Sequence, residues 1–341
     1  MTKIENPYHN IIIHRINNYI KDIELDLNGV NVLTEVGSDL YNYKPIIALM
    51  AGAKNVMAWT RDSYYGKASK LISDCKKKER ELGHKNCIEF FNGDLNQNHL
   101  MQADIITNSG FLRPLNKNKL RFTQENVVIP LMYEKWEFRD KDIDIDYCRK
   151  NSIKVSGINE HNEKFNIFNH NGPLAAKMVF EAGYGLLGNK MIIWSDDAFG
   201  DVIVNFFKQF NPKSIIKTTN YEVVKEHIIE TDFIFIANYN EKRSFTSNDN
   251  DFFNLEELSI INPFFGIIHL FGNLNYEKLK KMSIPCYPKK NGRAQNMSFN
   301  LNHVGINPFI SLIVSGLKVG QCMLENDYNN DLVQPICNIN D

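Results

Sequence analysis

The run Gly188-Asn-Lys-Met-Ile-Ile-Trp-Ser-Asp-Asp-Ala-Phe-Gly200, followed by the apolar stretch from Asp201 to Phe210, decides how this chain reads. Met191 to Trp194 is short and apolar enough to be a buried strand, and the residues after the polar turn take up a helical period. Strand, tight turn and helix in that order is where a phosphate-cradling loop of the pattern G-x-G-x-x-G is built. Here the three glycine places hold Ser195, Asp197 and Gly200, so only the last is glycine. Serine and aspartate still allow the turn, but they crowd the close backbone approach that glycine permits. Asp196 and Asp197 also put negative charge where a pyrophosphate would lie.

Outward from this stretch the chain alternates strands and helices. Ile11 to Ile23 has helical spacing, and Val30 to Val36 reads as a strand ending in Gly37-Ser38-Asp39. A helix over Tyr43 to Ala53, a strand over Asn55 to Thr60 and an amphipathic helix over Gly66 to Leu82 follow. Further strands are read at Cys87 to Phe91, Ala103 to Thr107 and Val127 to Met132. Beyond the opening stretch, Asp232 to Ala237 and Ile260 to Ile268 read as strands, Leu274 to Met282 as a helix, and Pro308 to Leu324 as a closing helix. This alternation predicts parallel, doubly wound sheets whose ligands sit at the carboxyl ends of the strands.

Composition bounds the function. A chain of 341 residues suggests two domains at roughly 150 residues each. With 43% hydrophobic and 23% charged residues and a net charge of -1, it is an ordinary globular sequence with no global pull toward nucleic acid or anionic lipid. No segment reaches the run of about 20 apolar residues that spans a bilayer, so no membrane partner is expected. The polar start from Met1 to Asn10 lacks the apolar core of a signal peptide, which reads as cytoplasmic. Cys75, Cys87, Cys148, Cys286, Cys322 and Cys337 are scattered without zinc spacing, so reduced thiols and no metal are expected. Ser247-Asn248-Asp249-Asn250-Asp251 reads as a polar loop, and Asn326 to Asp331 as a polar tail.

Two resemblances follow from these elements. The order Thr34-Glu-Val-Gly-Ser-Asp39, then Asp62 closing the second strand, then Gly93-Asp94 and Ala103 to Asn108, resembles the S-adenosylmethionine-dependent methyltransferases. That likeness implies Gly37 at the cofactor and Asp62 on ribose hydroxyls, a task for which a carboxylate suits because it accepts two hydrogen bonds from a vicinal diol. From residue 103 to about 320 the order of elements is similar to that of the D-2-hydroxyacid dehydrogenases, and more distantly to the adenosylhomocysteinases. The run Ile145-Asp-Tyr-Cys-Arg-Lys-Asn-Ser-Ile-Lys-Val155 stands where those dehydrogenases leave the substrate domain, and Pro173 to Gly183 where a helix crosses to the cofactor domain.

The dehydrogenase resemblance implies two Rossmann-like α/β domains with doubly wound parallel sheets and an interdomain cleft. Residues 1–168, completed by 306–341, would form the substrate-type domain, and 169–305 the dinucleotide-binding type. It implies NAD or NADP as cofactor, cradled by Ser195, Asp196, Asp197, Phe199 and Gly200, with Thr218 and Asn238 near the ribose. Lys217, Thr218 and Thr219 stand where an acid would select NAD, which favours NADP. His303 or His269 would move the proton that accompanies hydride transfer.

In the family's Asn-x-x-Arg-Gly setting this chain has Asn262-Pro-Phe-Phe-Gly266, so Phe265 replaces the arginine that clamps the substrate carboxylate. Other candidates to face a small polar substrate are Asn108, Arg113, Arg293, and Glu134 and Arg139 of the cluster Tyr133 to Arg139. That cluster reads equally as a solvated face anchored by Trp136. The expected function is an NAD(P)-dependent oxidoreductase compatible with a homodimer. The alternatives are a methyltransferase-like protein or a non-catalytic protein that binds a metabolite or partner.

Overall fold

The computed structural model describes residues 7–246, 252–328 and 331–337; the polar loop read at 247–251 and parts of the segments read at 1–10 and 326–331 lie outside them. The chain folds as two compact units, Met1–Ile167 with Ile306–Asp341, and Phe168–Gly305. In chain order the strands are β1 (Asn31–Glu35), β2 (Asn55–Thr60), β3 (Ile88–Asn92), β4 (Ile105–Ile106), β5 (Val128–Pro130) and β6 (Lys154–Ile158) in the first unit. The second unit holds β7 (Lys190–Trp194), β8 (Ser214–Thr218), β9 (Phe233–Ile236), β10 (Gly266–His269) and β11 (Cys286–Tyr287), and β12 (Val333–Cys337) returns to the first.

The first sheet has the order β12-β6-β5-β4-β1-β2-β3. Its six sequential strands are parallel, and β12 closes one edge antiparallel to β6. Without β12 this is the 3-2-1-4-5-6 order of a doubly wound sheet, reversing between β1 and β4. The second sheet runs β11-β10-β9-β7-β8, all parallel, and reverses between β7 and β9. In such sheets the strand ends at the reversal are where a crevice opens and ligands bind.

Burial on both faces explains the near-continuous apolar strands of the second unit. Met191 and Ile193 of β7 pack on one face with Ile203 and Phe207 of the helix Ala198–Lys208. Ile192 and Trp194 point to the other, where Trp194 lies edge-on to Phe245, Phe252 and Phe253 at centroid distances of 5.7, 5.3 and 5.1 Å. The stretch read as a strand from Ile260 to Ile268 is corrected: Leu255–Ile261 is a helix, capped by the Asn254 side chain on the Glu257 N–H at 3.1 Å, and β10 begins only at Gly266. Pro263 separates the two, and the apolar run across it hid the change of period.

In the first unit the loop after β5 lies flat on β6. Ile158 N–H donates to Tyr133 O at 3.0 Å, and a Cβ on Gly157 would stand 2.6 Å from Lys135 N and 3.0 Å from Tyr133 O. Those contacts are backbone, so nothing flexible can yield. Gly157→Ala is expected to lower stability by about 1–3 kcal/mol, read as a lower urea midpoint at unchanged slope.

Candidate functional site

At the reversal point of the first sheet, β1 ends on Glu35, which is wholly buried. One carboxylate oxygen accepts the Phe111 N–H at 2.9 Å and also the Leu112 N–H; the other accepts the Ser109 N–H at 3.2 Å, the Ser109 hydroxyl and Lys44 Nζ at 2.8 Å. Lys44 also donates to Ser109 Oγ. Burial is the largest influence on Glu35 and pushes its pKa up, but the Lys44 charge and the hydrogen bonds together outweigh it, so the group sits below its ordinary value. Asn108 braces the same loop, accepting the Gly110 N–H at 2.7 Å and donating to Leu112 O at 3.5 Å. Asn108 is therefore loop scaffold, and the crevice base is filled by the protein's own ion pair.

Beside it, at the carboxyl ends of β4 and β5, lies a cavity of about 210 Å³ walled by Tyr41, Ser109, Tyr133, Glu137 and Arg139, with Met132 and Leu312 as apolar surface. Tyr133 Oη is shut from solvent and has no partner among the described residues. Burial pushes its pKa up, so it remains a hydroxyl donor. Arg139 Nε lies 3.5 Å from Asp142 Oδ2, and no described residue hydrogen-bonds its two terminal nitrogens. Glu137 is exposed overall, yet its carboxyl is turned back onto the Glu134 N–H at 3.3 Å. Burial of that carboxyl and the charge of Glu134 push it up to about 7, against the hydrogen bond and the charge of Arg139. Glu160 is likewise raised by burial and by the charges of Glu137 and Glu134.

Glu134 itself is corrected from a cleft candidate to scaffold. It is buried, accepting the Glu160 N–H at 3.1 Å, Gln334 Nε2 at 3.3 Å and the Trp136 indole. Trp136 is 45% exposed and anchors no helix; the cluster is a loop with one turn of 3₁₀ helix at Lys135–Glu137. Arg113 turns to Asp142 at 3.2 Å, the same carboxylate that Arg139 meets.

In the second unit the opening stretch folds as read, and its donors are taken. Asp197 caps the helix Ala198–Lys208: one oxygen accepts the Phe199 N–H at 3.0 Å, the Gly200 N–H at 3.4 Å and Ser195 Oγ at 2.9 Å. The other accepts the Tyr239 N–H, across the reversal point, at 2.7 Å. Asp196 takes Asn238 Nδ2 at 2.7 Å, and Asn238 Oδ1 holds the Asn240 and Glu241 N–H groups. Gly200 keeps the packing role of a third glycine, since a Cβ there would meet Ser195 at 2.5 Å. A pyrophosphate would need the helix N–H groups that Asp197 holds, so the residues present do not fit a dinucleotide in the usual seat.

The remaining candidates are dispersed. His269 is fully buried, with Nδ1 2.9 Å from Ser298 Oγ and Nε2 3.3 Å from Pro288 O, and burial lowers it to about 4. Burial thus favours its neutral form, and both ring nitrogens are engaged within the fold. His303 is exposed and lies 4.5 Å from the Phe299 ring, and Arg293 is exposed in a turn closed by its bridge to Asn296. Thr218 accepts the Asn220 N–H at 3.0 Å, and Lys217 pairs with Asp201. For the methyltransferase resemblance, Gly37 packs on Tyr41, where a Cβ would stand 2.6 Å away, and Asp62 spends both oxygens on Ala68 N–H at 2.9 Å and Lys67 at 2.7 Å. Ser109 stands beside the candidate Asn108, and Tyr133 and Glu137 lie in the cluster Tyr133 to Arg139, but the sequence points to Glu134 and Arg139 within it.

No protein-family model matches the sequence, and no curated protein matches it. Solved structures do match in fold. The dipicolinate synthase A polypeptide from Bacillus halodurans aligns with a TM-score of 0.54 at 10% identity, over 87% of this chain and 99% of that one. Its counterpart in the dipicolinate synthase of Bacillus subtilis aligns with a TM-score of 0.54 at 11% identity, over 90% of this chain and 100% of that one. The NAD-dependent formate dehydrogenase of Staphylococcus aureus, solved in complex with NAD, aligns at 0.41 and 12% identity over 83% and 99%. The chain shares the two-unit α/β fold of these dipicolinate synthase A polypeptides, and at these identities the likeness is one of fold alone.

Two expectations follow from the buried charges. Lys44→Met leaves Glu35 buried without its cation and is expected to cost about 3–5 kcal/mol near neutral pH. In the wild type Glu35 sits below its ordinary 4.5, so its contribution is present above that value and is lost as pH falls through the lowered one. In the variant burial prevails and protonation relieves the penalty, so urea midpoints of the two proteins should converge at pH 4 and diverge at pH 8. Glu137 has the opposite sign: raised from 4.5 to about 7, it keeps its proton only in the fold, so stability falls as pH rises between these values. Glu137→Gln should flatten that part of the melting-temperature profile.

Proposed function

We propose that this chain binds a small anionic metabolite in the cavity of its first unit, on a fold shared with NAD(P)-dependent oxidoreductases. The observation that carries this is Arg139 on the cavity wall, with no described residue hydrogen-bonded to its terminal nitrogens, backed by Tyr133, whose hydroxyl is buried without a partner. A guanidinium fork suits a carboxylate or a tetrahedral oxyanion, and a buried hydroxyl without a partner is costly unless something accepts from it. Glu137, poised near pH 7, stands at the same wall and suits proton exchange with a bound hydroxyl or carbonyl. The cavity's size fits a ligand of about a dozen non-hydrogen atoms at most.

Oxidoreduction with NAD or NADP is the activity implied by the order of elements, and it would draw on the second unit, where Asp197 holds the helix N–H groups. Anion binding, by contrast, calls on the first unit alone.

The test is a thermal-shift and calorimetric panel of small carboxylates, phosphate and sulfate against the full chain. At least one should raise the melting temperature in the wild type, and Arg139→Met should weaken that ligand by about tenfold or more. A panel without a shift at high millimolar concentration, or binding unchanged in Arg139→Met, would overturn the proposal.

A further inference from the structure

We infer that the reversal-point crevice of the second unit is closed by the chain itself, with the Asp197 carboxylate standing in for a pyrophosphate and aromatic rings packed over it, so that the wild-type chain holds no nicotinamide dinucleotide there. Two independent sets of contacts carry this. The first is polar: Asp197 draws N–H groups from Phe199 and Gly200 on one side of the crevice and from Tyr239 on the other, and the Asp196 to Asn238 bond at 2.7 Å repeats the crossing. Both sides are thus tied together at the point where a doubly wound sheet opens to a ligand.

The second set is apolar. Phe199 from the first turn of the helix after β7, and Tyr239 and Phe271 from the segments after β9 and β10, pack on one another, with centroids 4.7 Å apart for Phe199 and Phe271, 5.4 Å for Tyr239 and Phe271, and 6.2 Å for Phe199 and Tyr239. Phe199 and Phe271 are buried, and Phe168 adds a further ring 4.8 Å from Phe199. A dinucleotide would have to part these rings, take four hydrogen bonds from Asp197 and then lie against its charge. At the far end Lys217 is paired with Asp201 and the Thr218 hydroxyl already accepts the Asn220 N–H.

Asp197 is then the residue on which the closure turns. Serine caps a helix well while being shorter and neutral, so Asp197→Ser removes the charge and releases the Tyr239 N–H without unmaking the turn, whereas glycine at this position also frees the Phe199 and Gly200 N–H groups. Asp197→Gly is the second variant. The experiment titrates NADH, NADPH and ADP into the full-length wild type and both variants, with far-ultraviolet circular dichroism confirming that each is folded. The wild type should show no saturation by any of the three at about millimolar concentration, and a folded variant should bind ADP at least about tenfold more tightly than the wild type. Saturation of the wild type by NADH or NADPH below a millimolar would overturn the inference. So would a folded variant that gains nothing for ADP, since the carboxylate would then not be what occupies the seat. None of these outcomes depends on Arg139 or on the ligand of the first unit.

Discussion

A carboxylate that takes the backbone N–H groups of the loop facing it is the interaction on which both units depend. Glu35 does this in the first sheet and Asp197 in the second, each drawing N–H groups across the line where strand order reverses. Loops diverge at that line, so their donors have no ladder to join and must find another acceptor. The two solutions differ in how the charge is held. Glu35 is deep in the protein and needs the Lys44 ammonium beside it. Asp197 is half-buried at the start of a helix of 11 residues, where the helix dipole supplies the positive end and no side-chain cation is required.

This arrangement engages polar groups at the places where a doubly wound fold ordinarily opens to a ligand. With the loop 108–113 fixed to Glu35, Ser109 and Gly110 become a firm wall, and the groups left uncommitted are those one step to the side, on the loop after β5. That loop is itself laid on β6 through the tight approach at Gly157, so Tyr133, Glu137 and Arg139 hang from a rigid support. A shared fold therefore says little about where this chain does its work.

Much of the architecture was legible because the signal was periodicity. Both faces of the second sheet are covered, so its strands read as unbroken apolar runs such as Met191 to Trp194, and a helical period followed each turn. Where two elements were both apolar, as across Ile261 to Phe265, the period change was hidden and only the proline marked it. The site was far less legible. His269 looked chemical from its position at a strand end, yet burial and its bond to Ser298 make it structural, and burial cannot be counted from composition. Glu35 looked like the last residue of a strand, and nothing local announced that Lys44 and the loop beyond β4 would converge on it. Glu134 and Glu137 lie in the same turn, three residues apart. Only three-dimensional packing decides that one is tied up by Gln334 and the other faces the cavity.

The connectivity of the first unit bears on how the protein is made. Its sheet is edged by β12 and its packing includes the helix Asn307–Leu324, both encoded after the whole of the second unit. The second unit is contiguous and closes its sheet from its own residues. On a ribosome it can reach its native form as soon as it emerges, whereas the first unit waits with β6 as an open edge. The edge of β6 is therefore covered only by a strand made last, so the cover of the first sheet depends on residues at 333–337.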